Sequence, residues 1–478
     1  MQRSKALSTR RNETYRTLRG LSLAAVLFPA LLALSSAYAA GRDAGLETDR
    51  PPPQFSPLVD YHQHLASPAG VALLNRYPPV VALPPEISKV IEEMARHWNE
   101  PAALAPLYTQ DALVLSNMAA TRPGWARGRN ESSQYVGTLF GSPYRITPIA
   151  FQSDGRVARM AGYFTRGEGA KERHFAYVLL ELVKDDDSTW RIAAETRTFQ
   201  PKPQYQETIS GEQLVAMLDE AHIGRAVLLS DAYWFDSPSM IAPGQSDAEL
   251  YAQVRSENDW TAEQAALSHG RLVAFCSFNP LKTYAVRELE RCARGGKFKG
   301  LKLHLQMSEV DLGNPGDVQK ARRIFAEANK LRFPILLHAQ TKDGYDGKAA
   351  QTILNELIAA APEVPVVIAH LWGGGPFASE PLAVYADAIA SGKPRLKNLY
   401  FDVAEAALVA GGRPEVVQAI AQAIRRIGPD RILFGSDAVG PTTLPPAKAA
   451  AQFRKDVPLT AAEFADIADN LPSFMEAN

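Results

Sequence analysis

Residues 58–65, LVDYHQHL, carry two histidines separated by one residue. In a strand, residues two apart share a face, so Asp60, His62 and His64 would point to one side. Three later apolar runs end in side chains of the same chemical kind. His338 closes ILLHAQ, His370 closes VIAHLWGGG and Asp437 closes ILFGSDA. Three of these four imidazoles, neutral, with the one carboxylate make a borderline-soft donor set suited to Zn2+, with Mn2+ or Fe2+ as alternatives. Two more runs end in Asp231 and Asp402, which read as supports for such ligands or as structural acids. Lys302 and His304 in GLKLH are again two apart. A buried lysine needs a partner, so Lys302 reads either as the group that binds an anionic or carbonyl part of a substrate or as a structural lysine beside an acid. Trp372 and Gly373–Gly375 follow His370 and form either a pocket floor or a simple tight loop.

The elements that would position these residues recur with one rhythm. From residue 223 onward, RAVLLSDA, LVAFCSFN, GLKLHLQ, FPILLHAQ, PVVIAHLW, NLYFDVAE and RILFGSDA are short apolar runs. They are β-branched and apolar along most of their length, as buried parallel strands are. Helical segments such as YAVRELERCAR, DVQKARRIFAEANKL, KAAQTILNELIAAA and PEVVQAIAQAIRRI lie between them. With LVDYHQHL these make eight βα units, which predicts an α/β fold with a closed (β/α)8 TIM barrel. An open doubly wound sheet is the alternative; no Gly-rich dinucleotide fingerprint follows the first strand.

One connection is too long. The first strand ends near 64 and the second starts near 225, with one helix needed between them, ISGEQLVAMLDEAHI, capped by Ser210 with Gln213. The barrel therefore takes 55–75 and 205–478, and 85–200 form an inserted α+β domain. This insert opens with the helix PEISKVIEEMARHWNEP and continues through LAPLYTQDALVLS into RITPIAFQ, RVARMAGYFTR, HFAYVLLELVK and TWRIAAETRTF. Pro78, Pro79, Pro84, Pro85, Pro201 and Pro203 mark its borders. Loops after barrel strands emerge at the catalytic face, so the insert is expected to wall the barrel mouth.

The first 39 residues stand apart. Six basic residues precede LSLAAVLFPALLAL, and AYA at 37–39 offers a small-residue cleavage site. This is a cleavable signal peptide, implying a periplasmic or secreted protein; a membrane anchor fits less well because the run is short and holds Pro29. Its removal takes away six positive charges and one negative, moving the net charge from −1 to −6. No later stretch is apolar and long enough to span a bilayer, and 51 basic against 52 acidic residues give no field for nucleic acid. Cys276 and Cys292, the only cysteines, could pair in an oxidising compartment or stay as buried thiols.

The motifs His62-x-His64, GLKLH, PILLHAQ, VIAHLWGG and RILFGSDA resemble the amidohydrolase superfamily, in particular the branch with the carboxymuconate-semialdehyde decarboxylases. WNEPAALAPLYTQDALVLS, GWARGRNES and WRIAAETRTF resemble the SnoaL-like, ketosteroid-isomerase-like cone domains. In the insert, His174 and Asp111 are the only candidates for chemistry, with surface roles as the plainer reading. The first resemblance implies one divalent metal, Zn2+ before Mn2+ or Fe2+, on His62, His64, His338 and Asp437. It implies that His370 polarises the substrate or moves protons and that Asp437 takes a proton from bound water. Lys302, His304 and Trp372 are the expected substrate contacts, and carboxylation of Lys302 to bridge two metals is the less favoured variant. The implied enzyme is a metal-dependent hydrolase in which metal-bound hydroxide attacks an amide, lactone or ester carbonyl of a small molecule. The alternative is a non-oxidative decarboxylase of an unsaturated or aromatic acid. A barrel reduced to a scaffold for a ligand-binding insert is the third reading. Whether the chain forms a homo-oligomer stays open.

Overall fold

A computed structural model describes residues 55–475, apart from 75, 77–79, 119–123, 140–141, 168–172, 200–206, 243, 342–343 and 440–442. The expected signal peptide and Pro78, Pro79, Pro201 and Pro203 lie outside the described residues. The chain divides into two units: the described residues up to 75 together with those from 203 onward, and Arg76–Lys202.

In the first unit, eight parallel strands follow one another in sequence order: β1 (Val59–Gln63), β8 (Arg225–Leu229), β9 (Leu272–Ser277), β10 (Gly300–His304), β11 (Ile335–His338), β12 (Val366–Ile368), β13 (Leu399–Asp402) and β14 (Ile432–Leu433). β2–β7 belong to the insert. The last strand returns to the first: Tyr61 N–H donates to the Phe434 carbonyl at 2.8 Å, and Asp437 N–H to the His62 carbonyl at 2.8 Å. The sheet is thus a (β/α)8 barrel. Gly435 permits this closure, because a Cβ there would stand 2.8 Å from the Cβ of His62.

The strands alternate as their sequences require. Val59, Tyr61, Val227, Leu229, Val273, Phe275, Leu336, Val367 and Leu433 form an inner cluster. Ala226, Leu228, Ala274, Leu301, Leu303, Ile335, Leu337, Val366 and Ile368 face the larger core shared with the helices. The helices start at caps written in the sequence. Ser210 with Gln213, Ser246 with Glu249 and Thr460 with Glu463 form reciprocal capping boxes. KAAQTILNELIAAA departs from one regular helix: Gly347–Thr352 is α-helical, Ile353–Leu357 is a π turn and Ile358–Ala360 is 3-10. The wider turn lets Ile353, Leu354, Leu357 and Ile358 all bury against the core.

Cys276 on β9 and Cys292 on the helix Ala285–Arg294 form a disulfide, with Cα atoms 6.4 Å apart. This decides between the two readings of the cysteine pair.

The second unit is a six-stranded sheet in the order β3-β2-β7-β6-β5-β4. Its strands are β2 (Tyr108–Ser116), β3 (Trp125–Arg127), β4 (Arg145–Ser153), β5 (Val157–Arg166), β6 (Arg173–Lys184) and β7 (Trp190–Phe199). The helix Pro85–Arg96 buries Ile87, Val90, Ile91 and Met94 in this unit's own core. LAPLYTQDALVLS, which sequence left without a strand assignment, supplies β2, parallel to β7. Among the described residues no helix is long and apolar enough to cross a membrane.

Candidate metal centre

The strand ends bring the histidines together. His62, His370 and Asp437 each offer a donor atom, and these atoms lie within 4.8 Å of one another. His64 is next: its Nε2 is 3.8 Å from Asp437 Oδ1. The His62 ring centroid lies 5.4 Å from that of His64 and 4.8 Å from that of His370. His338, a ligand by resemblance, stands outside the tightest trio, with its ring 5.0 Å from His370 and stacked at 3.8 Å on His304.

The outer nitrogens show why these rings can act as ligands. His62 Nδ1 lies 2.9 Å from Asp402 Oδ2, His64 Nδ1 lies 2.8 Å from Asp231 Oδ1, and His370 Nδ1 lies 3.0 Å from the Ala404 carbonyl. A partner on Nδ1 fixes the ring and turns Nε2 to the site as the donor atom. Burial holds His62, His304 and His338 well below the usual histidine range, so they stay neutral, as a metal ligand must. For His64 burial works the same way, but the Asp231 and Asp437 carboxylates outweigh it and raise the pKa. Burial opposes ionisation of Asp437 too, yet His62, His64, His370 and Lys302 together hold it below the usual carboxylate range. Fixed imidazoles around an ionised carboxylate fit a divalent cation.

Asp402 organises more than His62. Its Oδ1 accepts the His370 N–H at 2.8 Å and the Ala404 N–H at 3.1 Å. His370, Leu371, Glu405 and Asp437 all have φ between 54° and 63°. Left-handed backbone at non-glycine residues costs energy and gathers where geometry serves a site. Here it gathers at the ends of β12, β13 and β14.

Lys302, on β10, is fully buried, and its Nζ lies 3.2 Å from His62 Nε2. Burial lowers its pKa to about 8, against the pull of Asp437, Asp402 and Asp231. The ammonium therefore sits inside the donor set. His304 lies between two rings, Tyr233 at 4.9 Å and His338 at 3.8 Å. Trp372 does not reach the cluster: it is fully buried against Phe377, and its indole N–H donates to the Gly375 carbonyl at 3.3 Å. It braces its own loop, as a large ring with one polar atom can do only where that atom is satisfied.

Sequence reasoning missed two residues. Glu405 is half-buried beyond β13, and desolvation, then Asp437 and Asp402, push its acid up to about 8. Tyr233 follows Asp231 by two residues; that spacing from a strand-end aspartate was the available signal. Asp60 shares a strand with the two histidines but is fully buried and engaged by its neighbours. It accepts hydrogen bonds from His62 N–H at 3.1 Å, Gln63 Nε2 at 2.6 Å and Ser436 N–H at 3.1 Å. In the insert, His174 Nδ1 bonds Thr165 Oγ1 at 2.7 Å and its ring stacks on Tyr163, while Asp111 is exposed and accepts from Thr109 at 3.0 Å. β7 separates their strands, and the two do not form a catalytic pair.

The family model for amidohydrolases matches residues 230–470, half of the chain. The chain belongs to the amidohydrolase family. Several solved structures are similar to this amidohydrolase. The 5-carboxyvanillate decarboxylase of Sphingomonas paucimobilis is 20% identical over 53% of this chain and 79% of its own, with a TM-score of 0.37. The 2,6-dihydroxybenzoate decarboxylase of Rhizobium is 18% identical over 53% and 84%, with a TM-score of 0.37. A ketosteroid isomerase-like protein from Erwinia carotovora atroseptica is 16% identical over 24% of this chain and 95% of its own, with a TM-score of 0.21. No curated protein matches the amidohydrolase chain.

Proposed function

We propose that this amidohydrolase-family chain is a metal-dependent, non-oxidative decarboxylase of a small unsaturated or aromatic acid. The observation that carries the reading is the placement of Lys302: a fully buried ammonium 3.2 Å from His62 Nε2, within the donor set. A buried cation needs an anionic partner. Asp437, Asp402 and Asp231 supply part of that field; a substrate carboxylate between Lys302 and the cation would add a direct partner, and the same cation would draw electron density from the substrate's oxygens. His62, His64 and Asp437 hold the cation, with His338 in the role the family resemblance gives it. Zn2+, Mn2+ and Fe2+ all suit these donors.

The chain's own groups then have definite tasks. The rings of Tyr233, His304 and His338 form one wall, which suits a planar substrate. When the carbon–carboxylate bond breaks, CO2 leaves and the electron pair stays on the substrate carbon. That carbon takes up one proton. His370 stands beside His62 and Asp437, with Nδ1 tied to Ala404, so its Nε2 is the nitrogen free to carry that proton.

Hydrolysis of an amide, lactone or ester is the second reading. It draws on Asp437, a carboxylate held ionised by surrounding imidazoles and able to accept a proton from an attacking water. A panel of aromatic acids, unsaturated acids, lactones and amides separates the two. Stoichiometric CO2 with no new acid supports decarboxylation; acid release without CO2 overturns it in favour of hydrolysis.

A periplasmic or secreted location is part of the proposal. Residues 1–39 have the composition of a signal peptide, and the Cys276–Cys292 disulfide suits an oxidising compartment. Fractionation of cells producing the full chain tests it; a chain that stays cytoplasmic with its first residues intact contradicts it.

A further inference from the structure

Strand β1 is irregular where it carries the histidines. Its parallel ladder with β8 pairs Val59 with Arg225 and Asp60 with Ala226, then resumes with Gln63 against Leu228. Three steps along β1 therefore pass two along β8, which makes a bulge in β1. A bulge leaves main-chain groups without their ladder partners and re-aims the side chains it carries. His62 lies inside this bulge, and its N–H donates to Asp60 Oδ1 at 3.1 Å. The opposite edge of β1 closes the barrel. There Tyr61 N–H donates to the Phe434 carbonyl and Asp437 N–H to the His62 carbonyl, each at 2.8 Å. Ser436 lies between these two bonds, and its N–H donates to the same Asp60 Oδ1 at 3.1 Å.

Asp60 is itself held in place. It is fully buried, and its Oδ2 accepts from Gln63 Nε2 at 2.6 Å. Gln63 Nε2 also donates to Ser436 Oγ. The three side chains thus close a ring of polar contacts across the seam between β1 and β14. A buried polar network of this kind holds its members in one arrangement. The seam has little else to fix it, because β14 is only two residues long, Ile432–Leu433. One carboxylate oxygen therefore ties together the main chain of His62 and the main chain just before Asp437, the two residues whose side chains meet at the metal centre.

We propose that Asp60 is a positioning residue for the cation site: its carboxylate locks the β1 bulge to the end of β14, so that His62 and Asp437 stand at one spacing and face the same cation. The donor atoms of these two residues, with that of His370, lie within 4.8 Å of one another. Asp60 acts through the main chain of the two ligands and is not a ligand itself, since its oxygens are engaged by His62, Ser436 and Gln63. Loss of an outer partner of a metal ligand commonly lowers metal affinity about 10–100-fold. The inference rests on His62 and Asp437 holding the cation and is independent of the reaction catalysed.

The test uses the full chain without substrate. The Kd of Zn2+ is measured by competition with a chromophoric chelator for wild type, Asp60→Ala, Asp60→Asn and His62→Ala. Asp60→Ser takes the place of Asp60→Ala if the alanine chain does not fold. Visible spectra with Co2+ in place of Zn2+ report the ligand geometry, and melting of the metal-free chains reports folding. Asp60→Ala takes away the shared acceptor. It is expected to weaken Zn2+ binding at least about 10-fold, shift the Co2+ spectrum and keep a cooperative metal-free melt. Asp60→Asn keeps an oxygen for the His62 and Ser436 N–H groups. Gln63 Oε1, which has no hydrogen bond among the described residues, can turn to accept from the new amide. Zn2+ affinity and the Co2+ spectrum should therefore return close to wild type in Asp60→Asn. Wild-type affinity and spectrum in Asp60→Ala would overturn the inference. Equal losses in Asp60→Ala and Asp60→Asn would also overturn it, since the charge and not the placement would then matter. So would loss of the metal-free melt in both the alanine and the serine chain, because Asp60 would then serve the fold alone. If His62→Ala leaves Zn2+ binding intact, the cation-site reading itself fails; if only His62→Ala has an effect, the role of Asp60 alone is lost.

Discussion

His62 and Asp402 are both fully buried, and Nδ1 of the imidazole lies 2.9 Å from Oδ2 of the carboxylate. The same carboxylate receives the N–H of His370 at 2.8 Å. One aspartate at the end of β13 thus orients the His62 ring and pins the backbone from which the His370 ring projects. Asp402→Asn preserves the shape and puts an amide where an acceptor is needed. It should weaken the binding of a divalent cation about 10–100-fold while the chain stays folded. Chelator competition with circular dichroism as the folding control checks this; wild-type affinity would show that Asp402 is only structural.

Gly374 has φ of +116°, and a Cβ on it would overlap the His338 imidazole. Gly374→Ala must therefore strain the loop or displace the ring. Strain of roughly 1–3 kcal/mol is expected, together with loss of turnover, because His338 belongs to the proposed substrate wall and the proposed ligand set. Urea denaturation and activity on the same preparation check both. A variant as stable and as active as wild type would mean the loop has room that the structure does not show.

Asp236 is buried, accepts from Tyr284 and from Asn279 N–H at 3.0 Å each, and its pKa is pushed up from 3.8 to about 7 by burial. Between about pH 4 and 7 the unfolded chain gives up this proton and the folded chain keeps it. Stability therefore falls as pH rises through that window and levels off above it. The size is on the order of 4 kcal/mol for a three-unit shift. In Asp236→Asn the loss disappears, so the stability difference between variant and wild type should grow in the variant's favour from pH 5 to 8. Denaturant titrations at those two pH values measure it; a difference independent of pH would refute the assignment.

The Cys276–Cys292 bridge closes a segment with a sequence separation of 16. Loop-closure entropy for a segment of this length is worth about 3 kcal/mol. Cys276→Ser with Cys292→Ser should lower stability by about that amount, and a reductant should destabilise wild type while leaving the double variant unchanged. Equal stability of the two proteins in oxidising buffer would show that the bridge contributes nothing.

Much of this was legible in the sequence because parallel barrel strands are buried on both sides and write themselves as apolar runs. The polar residue that ends each run is conspicuous: His62, His64, His338, His370 and Asp437 all stand where that pattern puts them, at the strand ends. The capping boxes at Ser210 and Thr460 were readable for a similar reason, since a cap needs particular residues at a fixed spacing. Residues whose roles depend on direction were not readable. Trp372 follows a site histidine, yet the left-handed backbone at His370 and Leu371 turns the chain so that the indole faces the core. Asp60 has the spacing of a ligand, but its carboxylate is engaged by Gln63 and Ser436. The disulfide needed a distance between a strand and its helix, which spacing does not supply. Glu405 and Tyr233 are near the site only because loops after β13 and β8 fold back toward it.

The most direct test of the central claim is metal content. Wild type and His62→Ala/His64→Ala are purified in parallel, loaded with Zn2+ or Mn2+, desalted and analysed for bound metal per chain. Wild type should retain a divalent cation stoichiometrically and release CO2 from its acid substrate only when loaded; the double variant should retain none and be inactive. Equal metal in both proteins, or CO2 release by the metal-free chain, would contradict the account.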